Sequence, residues 1–254
     1  MSSATTDILT RASRGEASFG EMAHALSEIE HLTILIQPGD FRRFLSDVDT
    51  AMRKKGIGNV TVRDTEAPAQ VGIVTEKGFV PQVFTDDDLA REFAVATGII
   101  APDEAMAMTM VRPVDVLHDC LARGWPGVIL DDQSPHKINL HRPTVARLYA
   151  LLTRDAFAGR HLTHAVTHAG GVVYQQPGDK PGLQAYVFDS GEAAAEGLPG
   201  IRARGADVDA TPMKTAALLE EMLRTGVTTL IVNPGLPTAR HYDRDDLVVM
   251  VDGP

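Results

Sequence analysis

The sequence predicts an α/β (α+β) protein of two similar halves, each a mixed sheet with a β-hairpin and flanking helices. Three observations carry this. The segment G-F-V-P-Q-V-F-T at 78–85 is echoed by G-L-Q-A-Y-V-F-D at 182–189, 104 residues further on. The segment L-H-D-C-L-A-R-G-W-P-G-V-I-L at 117–130 is echoed by L-E-E-M-L-R-T-G-V-T-T-L-I-V at 219–232, 102 residues further on. Two segments in one order at nearly one spacing indicate a supersecondary unit built twice. Third, strand-sized apolar runs are mixed with stretches of helical period, and hairpin spacings imply antiparallel pairs in the sheet.

The elements follow in order. Phe19, Met22, Ala23, Leu26 and Ile29 mark a helical stripe over 18–30, and 32–36 reads as a strand. The P-G-D at 38–40 is turn chemistry, with Asp40 as N-cap of a helix carrying Phe41, Phe44, Leu45, Val48 and Met52 and ending near Gly56. Residues 59–62 read as a short strand. The first repeat opens with a hairpin, 71–74 and 79–84, across T-E-K-G. Pro81 donates no amide, which suits an edge strand or a proline that faces away from its neighbour. Thr85 reads as the N-cap of the next helix with Asp88 at N3, and the run Asp86, Asp87, Asp88 serves capping. A strand at 106–110 follows. Pro113 opens a helix with Val116, Leu117, Cys120 and Leu121 inward, Gly124 stops it, and 128–130 is a buried strand. Residues 144–156 form an amphipathic helix.

The second repeat copies this order. The strand 172–174 faces 183–188 across P-G-D-K-P-G, and Asp189 caps a helix with Glu192 at N3. Pro212 opens a helix with Ala216, Leu219, Met222 and Leu223 inward, stopped by Gly226. Then come the strand 230–232, the N-P-G turn and a last strand, 247–251. The predicted organisation is 1–65 as N-terminal helices and strands, 66–152 as the first repeat, 153–169 as a connector and 170–254 as the second repeat.

Composition bounds the function classes. The 254 residues suffice for one large domain or two of ordinary size, and 44% hydrophobic residues imply a packed core. A net charge of −10 repels phosphate backbones, so no nucleic-acid partner is expected. The basic run Arg42, Arg43, Arg53, Lys54, Lys55 reads as a solvated helix face and C-terminus. A single cysteine, Cys120, precludes an intrachain disulfide and fits a reducing cytoplasm. The N-terminal M-S-S-A-T-T-D lacks a secretory pattern, and no run reaches the roughly 18 apolar residues that span a bilayer. A cytoplasmic location without membrane association is expected.

The one metal-like spacing is H-L-T-H-A-V-T-H. On a helix His161, His164 and His168 share an arc able to hold Zn²⁺ with an open position for water. On a strand, which Thr163, Val166 and Thr167 favour, His161 faces away from the other two. Cys120 reads as a small buried hydrophobe, because its repeat partner is Met222. Asp131, Asp132, His136 and His141 follow one repeated strand, and Asn233, Pro234, Arg240 and His241 follow the other, in loops of the kind that carry function. Trp125 stands between a helix stop and a strand, as a core cover or a partner anchor. Trp125, Asp131, Asp132, Asn233 and Arg240 form the expected binding surface. No dinucleotide, P-loop or nucleophile-elbow motif is present; G-I-G at 56–58 reads as a helix stop.

At V-P-Q-V-F-T-D-D-D-L-A-R-E-F, the helix 114–124 and the strand 128–130, the chain resembles the SseB family, the bacterial "enhanced serine sensitivity" proteins. The family's phenylalanine–threonine step matches Phe84–Thr85, and its asparagine–proline turn matches Asn233–Pro234–Gly235. Asp131–Asp132 stands in place of that turn in the first half, and Phe188–Asp189 in place of the step in the second. The resemblance covers roughly 66–152 and 170–252. It implies a cytoplasmic bacterial protein acting as a binding or regulatory module, with no catalytic residues to carry over; the repeat and the lack of a catalytic constellation point to a non-enzymatic protein without a cofactor and with a protein partner. Two other readings stand beside it: a metal-dependent hydrolase built on the three histidines, and a sensor binding a small metabolite between the halves.

Overall fold

The computed structural model describes residues 2–37, 69–177, 182–203 and 205–252. The helix expected from Phe41 to Met52, the strand 59–62 and the basic run lie outside the described residues. The chain falls into two compact units: residues 1–17, 28–113 and 125–141, and residues 18–27, 114–124 and 142–254.

The first unit is built on a sheet of seven strands: β1 (Leu32–Gln37), β2 (Ala69–Gln70), β3 (Gly72–Thr75), β4 (Gly78–Phe84), β5 (Met108–Val111), β6 (Gly127–Leu130) and β7 (Ile138–His141). β1 runs antiparallel to β4 and β5, β4 parallel to β6, and β6 antiparallel to β7. The short β2 and β3 pair with the outer ends of β1 and β4, and between them the Val71 N–H donates to the Leu35 carbonyl. Helix α1 (Ser3–Ser13) is capped by the Ser2 hydroxyl. Helix α3 (Asp87–Ala96) packs Ala90, Phe93 and Ala94 on Leu35 and Phe84. β6 has all four residues buried, whereas β7 alternates buried Ile138 and Leu140 with exposed Asn139 and His141.

The second unit contains α2 (Phe19–Ser27), most of α4 (Pro113–Ala122) and α5 (Arg142–Ala158). Its sheet comprises β8 (Leu162–His168), β9 (Gly171–Val172), β10 (Tyr174–Gln175), β11 (Leu183–Phe188), β12 (Asp209–Lys214), β13 (Val227–Val232) and β14 (Arg240–Asp243). The order is β12-β8-β11-β13-β14. β11 and β13 are parallel and the other pairs antiparallel. Helices α6 (Gly191–Arg202), α7 (Thr215–Thr225) and α8 (Arg244–Asp252) complete it. Ala150 and Phe157 of α5, Leu218 and Met222 of α7 and Leu247 of α8 bury one sheet face, while Ala194 and Leu198 of α6 meet Phe188 and Val166 on other residues of the sheet.

The two sheets share one plan, so the predicted α/β architecture of two similar halves is present. β1, β4, β5, β6 and β7 correspond to β8, β11, β12, β13 and β14. Even the wedge recurs: Val173 N–H donates to the Val166 carbonyl between β9 and β10, as Val71 does to Leu35. Register makes Thr33, opposite Phe84, the counterpart of His164, opposite Phe188.

Four expectations are corrected. Pro212 opens no helix: it lies in β12 opposite His164, and α7 begins at Thr215. Residues 153–169 are no connector: they hold the end of α5 and all of β8, which pairs with strands on both sides. Residues 247–251 are no strand. Asp243 and Asp246 exchange hydrogen bonds, each carboxylate accepting the other's backbone N–H, and this reciprocal cap starts α8 against the β preference of Val248, Val249 and Val251. The caps of α3 and α6 are Asp86 and Ser190, one residue beyond Thr85 and Asp189. Thr85 and Asp189 are displaced from that role because their side chains are engaged elsewhere.

Candidate functional site

The loops after β6 and β13 are built alike. Asp131 and Asn233 both sit in the left-handed region, at φ 52° and 56°, which short polar side chains tolerate best. Each donates its N–H back to the preceding parallel strand, to Val83 and Val187. Each side chain then receives the N–H just beyond that strand: Thr85 to Asp131 at 2.7 Å and Asp189 to Asn233 at 3.0 Å. The next left-handed positions are Gln133 and Gly235. Both loops tie the ends of a parallel strand pair, the place where open α/β sheets present binding residues.

The chemistry at the two places diverges. In the first half the carboxylate is on the loop. Asp131 also accepts the Thr85 hydroxyl, and burial pushes its carboxyl up, partly offset by both Thr85 bonds. Burial alone lifts Asp132 too, but hydrogen bonds from Lys137, 2.6 Å away, and Gln82 outweigh it and hold the carboxyl below its usual value. In the second half the carboxylate has moved to Asp189, where it pairs with Arg240, and the loop position is the neutral Asn233. The Arg240 guanidinium also lies 5.6 Å over the Phe157 ring. Its counterpart in β7 is Ile138.

These residues are not the exposed surface that loop position suggested. Asp131, Asp132, Asn233 and Arg240 retain 1%, 8%, 6% and 4% exposure. They hold the strand ends together. Trp125 is half-buried and meets Phe79 edge-on at 5.3 Å.

The three histidines do not converge on one point. β8 carries His164 and His168 four residues apart, about 13 Å along an extended strand, and His161 precedes it at odd spacing. His168 Nδ1 is hydrogen-bonded to the Asp207 carbonyl at 2.6 Å. Among the described residues no group of three or more His, Cys, Asp or Glu side chains is placed to hold a metal ion. Cys120 is fully buried, and burial pushes its thiol up to about 11 while Arg142 pulls it down.

Sequence reasoning missed an opening on the first sheet. A cavity of about 470 Å³ is bounded by the β3–β4 turn, β6 and β7. Register places Gln82, Ile129 and Asn139 on one sheet face, and Val80, Pro126 and Ile129 give the cavity its apolar lining, with the Leu140 backbone beside them. Lys77, Asn139 and His141 stand at its rim. Gly127 is required beside it, since a Cβ there would lie 2.3 Å from the Leu140 carbonyl oxygen. The available signal was the exposed alternate positions of β7 beside two small residues, Pro126 and Gly127. The second half differs at this place: Gln184 replaces Val80, and the Tyr186 hydroxyl donates to Gln184 and Gln175.

Among the described residues no helix is long and apolar enough to cross a membrane. Comparisons of the chain with protein-family models, with curated proteins and with solved structures found no match.

Proposed function

We propose that the protein is a non-enzymatic binding module of the SseB-like kind, which docks a protein partner at the opening between the β3–β4 turn, β6 and β7 of its first sheet. The observation that supports this is the 470 Å³ opening with its apolar lining and polar rim. Apolar floor supplies most of the free energy of association, and rim groups such as Asn139 and His141 fix orientation. Trp125 and Phe79, neighbours in the chain of the lining residues Pro126 and Val80, meet edge-on. The two halves differ here: Gln184, bonded to the Tyr186 hydroxyl, stands in the second half where the first has the apolar Val80. On this reading the protein is bacterial, cytoplasmic and regulatory, and its single buried cysteine suits a reducing compartment.

The test is capture from an extract of the source cells with the tagged full chain, at low and moderate salt, against Val80→Asp and Asn139→Ala. A stoichiometric partner retained by the parent at both salts and lost by Val80→Asp supports the reading. A partner held equally by Val80→Asp, or none at either salt, overturns it. Circular dichroism of Val80→Asp separates loss of docking from loss of fold.

A further inference from the structure

We infer that the second half binds a small oxyanion at Arg240, at the end of the parallel pair β11 and β13. The first observation is a half-used donor fork. Arg240 is 4% exposed, its Nη2 donates to Asp189, and its Nε has no hydrogen-bond partner among the described residues. Buried donors are nearly always satisfied, and a guanidinium is a poor group to leave short of acceptors. Nε and Nη2 present parallel N–H groups, the arrangement that suits carboxylate and phosphate oxygens.

The second observation is local charge. Arg160 donates from Nη1 to the Asp189 backbone carbonyl at 3.0 Å, so a second guanidinium stands at the same strand end. Two guanidiniums therefore stand at this strand end, one on the Asp189 carboxylate and one on its backbone carbonyl, with Asp115 in the same neighbourhood. Helix α6, 12 residues long, begins two residues after Asp189 and directs the positive end of its dipole there. Its first residue is Gly191, which adds no side chain.

The third observation is the other half of the same chain. At the places of Arg240, Asp189, Asn233 and Gly191 it carries Ile138, Thr85, Asp131 and Asp87. There the helix start is served by the protein's own acids: Asp86 caps α3, and Asp87 accepts the Thr33 hydroxyl. The fold is thus completed by an isoleucine and acidic residues at the equivalent end. The buried arginine with its incomplete set of acceptors is an addition of the second half, and an anionic ligand gives it the oxygen that Asp189 does not. The site lies apart from the docking face proposed above and does not depend on it.

The test titrates the full chain with sodium phosphate and, separately, sodium acetate at fixed ionic strength, with chloride as the reference. The readout is the Nε–Hε NMR signal of Arg240, assigned by its loss in Arg240→Lys. A saturable shift with one or both anions and none with chloride is expected, and the stronger arm distinguishes phosphate from carboxylate recognition. Asp189→Asn removes the competing carboxylate and should tighten binding at least tenfold. An Nε signal unmoved by either anion in both the parent and Asp189→Asn overturns the proposal. So does a melting-temperature response to the anions that is unchanged in Arg240→Lys, which marks non-specific salt effects.

Discussion

Asp131 holds Thr85 by both of its carboxylate oxygens, Oδ1 taking the backbone N–H at 2.7 Å and Oδ2 the hydroxyl at 2.8 Å. The two residues lie 46 positions apart and join the ends of adjacent parallel strands. Asn233 performs the backbone part of this task for Asp189. One geometry is thus realised with the carboxylate on either side of the contact. Placing it on both sides at once would oppose two buried anions, and neither half does so.

Asp131→Ala should therefore be costly. It strips the acceptor from the Thr85 N–H and puts a residue with no local hydrogen-bonding group at φ 52°. We expect about 2–4 kcal/mol lost in urea unfolding, combining an unsatisfied buried donor with left-handed strain. Asp131→Asn copies the other half and should cost less than half as much. Equal losses for both variants would show that the side-chain oxygen is not what matters.

Asp131 and its neighbour Asp132 should pull stability in opposite directions with pH. Burial holds the Asp131 carboxyl above its ordinary 3.8. Its contribution to stability is present below the unfolded value and is lost as pH rises through the folded one. Burial also acts on Asp132, but the bonds from Lys137 and Gln82 bring it below 3.8. Its contribution is present above the unfolded value and lost as pH falls through the folded one. Relative to the parent, Asp131→Asn should gain stability as pH is raised from 3 to 7, and Asp132→Asn should lose it. Urea midpoints across that range check this, and slopes of the same sign for both variants would refute it.

The doubling was legible because core positions recur: the sequence sets Cys120 against Met222, and both are fully buried. What escaped depends on distant partners. Thr163 and Thr167 make β8 look polar, yet their hydroxyls are consumed by the Phe188 carbonyl and by Thr211 across neighbouring strands. Asp131 and Asn233 read as surface turn residues, because the N–H groups that draw them inward come from more than 40 positions upstream. The α8 start was different. D-R-D-D at 243–246 is a local capping signal, but the valine-rich run after it suggested a strand.

Cys120 should behave as a reporter of unfolding. Full burial and a thiol pushed up to about 11 leave almost no accessible thiolate in the folded state. At pH 8 a disulfide reagent should label the native protein only at its opening rate, and labelling should rise along the urea transition. Immediate stoichiometric labelling of the native protein would show the helix α4 face to be open. The raised value also means that the thiol's support for folding is present below its unfolded value and is lost as pH rises through about 11.

Gly182→Ala should destabilise the second half for two separable reasons. Gly182 sits at φ +105°, and a Cβ there would lie 2.2 Å from the Thr228 Oγ1. Thr228→Ala removes the two nearest atoms, leaving its own Cβ at 2.9 Å and the backbone strain. We expect Gly182→Ala to cost about 2–4 kcal/mol, from overpacking plus strain, and the double variant to recover only part of it. Full recovery would mean that the backbone conformation carries no cost.

Asp246 is the residue on which α8 depends. It is 4% exposed, accepts the Asp243 N–H, and is approached by Arg147 at 2.5 Å and Arg154 at 3.8 Å. Removing it breaks the reciprocal cap and leaves two arginines of α5 without their shared carboxylate. Asp246→Ala should cost about 2–3 kcal/mol, the loss of a cap together with a charge-assisted bond to a part-exposed arginine that keeps Asp243. Asp246→Asn retains an acceptor for the cap and should recover part of that, and Arg147→Met should lose less than Asp246→Ala because Arg154 remains. Urea unfolding orders the three variants. A loss below about 1 kcal/mol for Asp246→Ala, typical of an exposed pair, would argue that 244–252 is not held as a helix against α5.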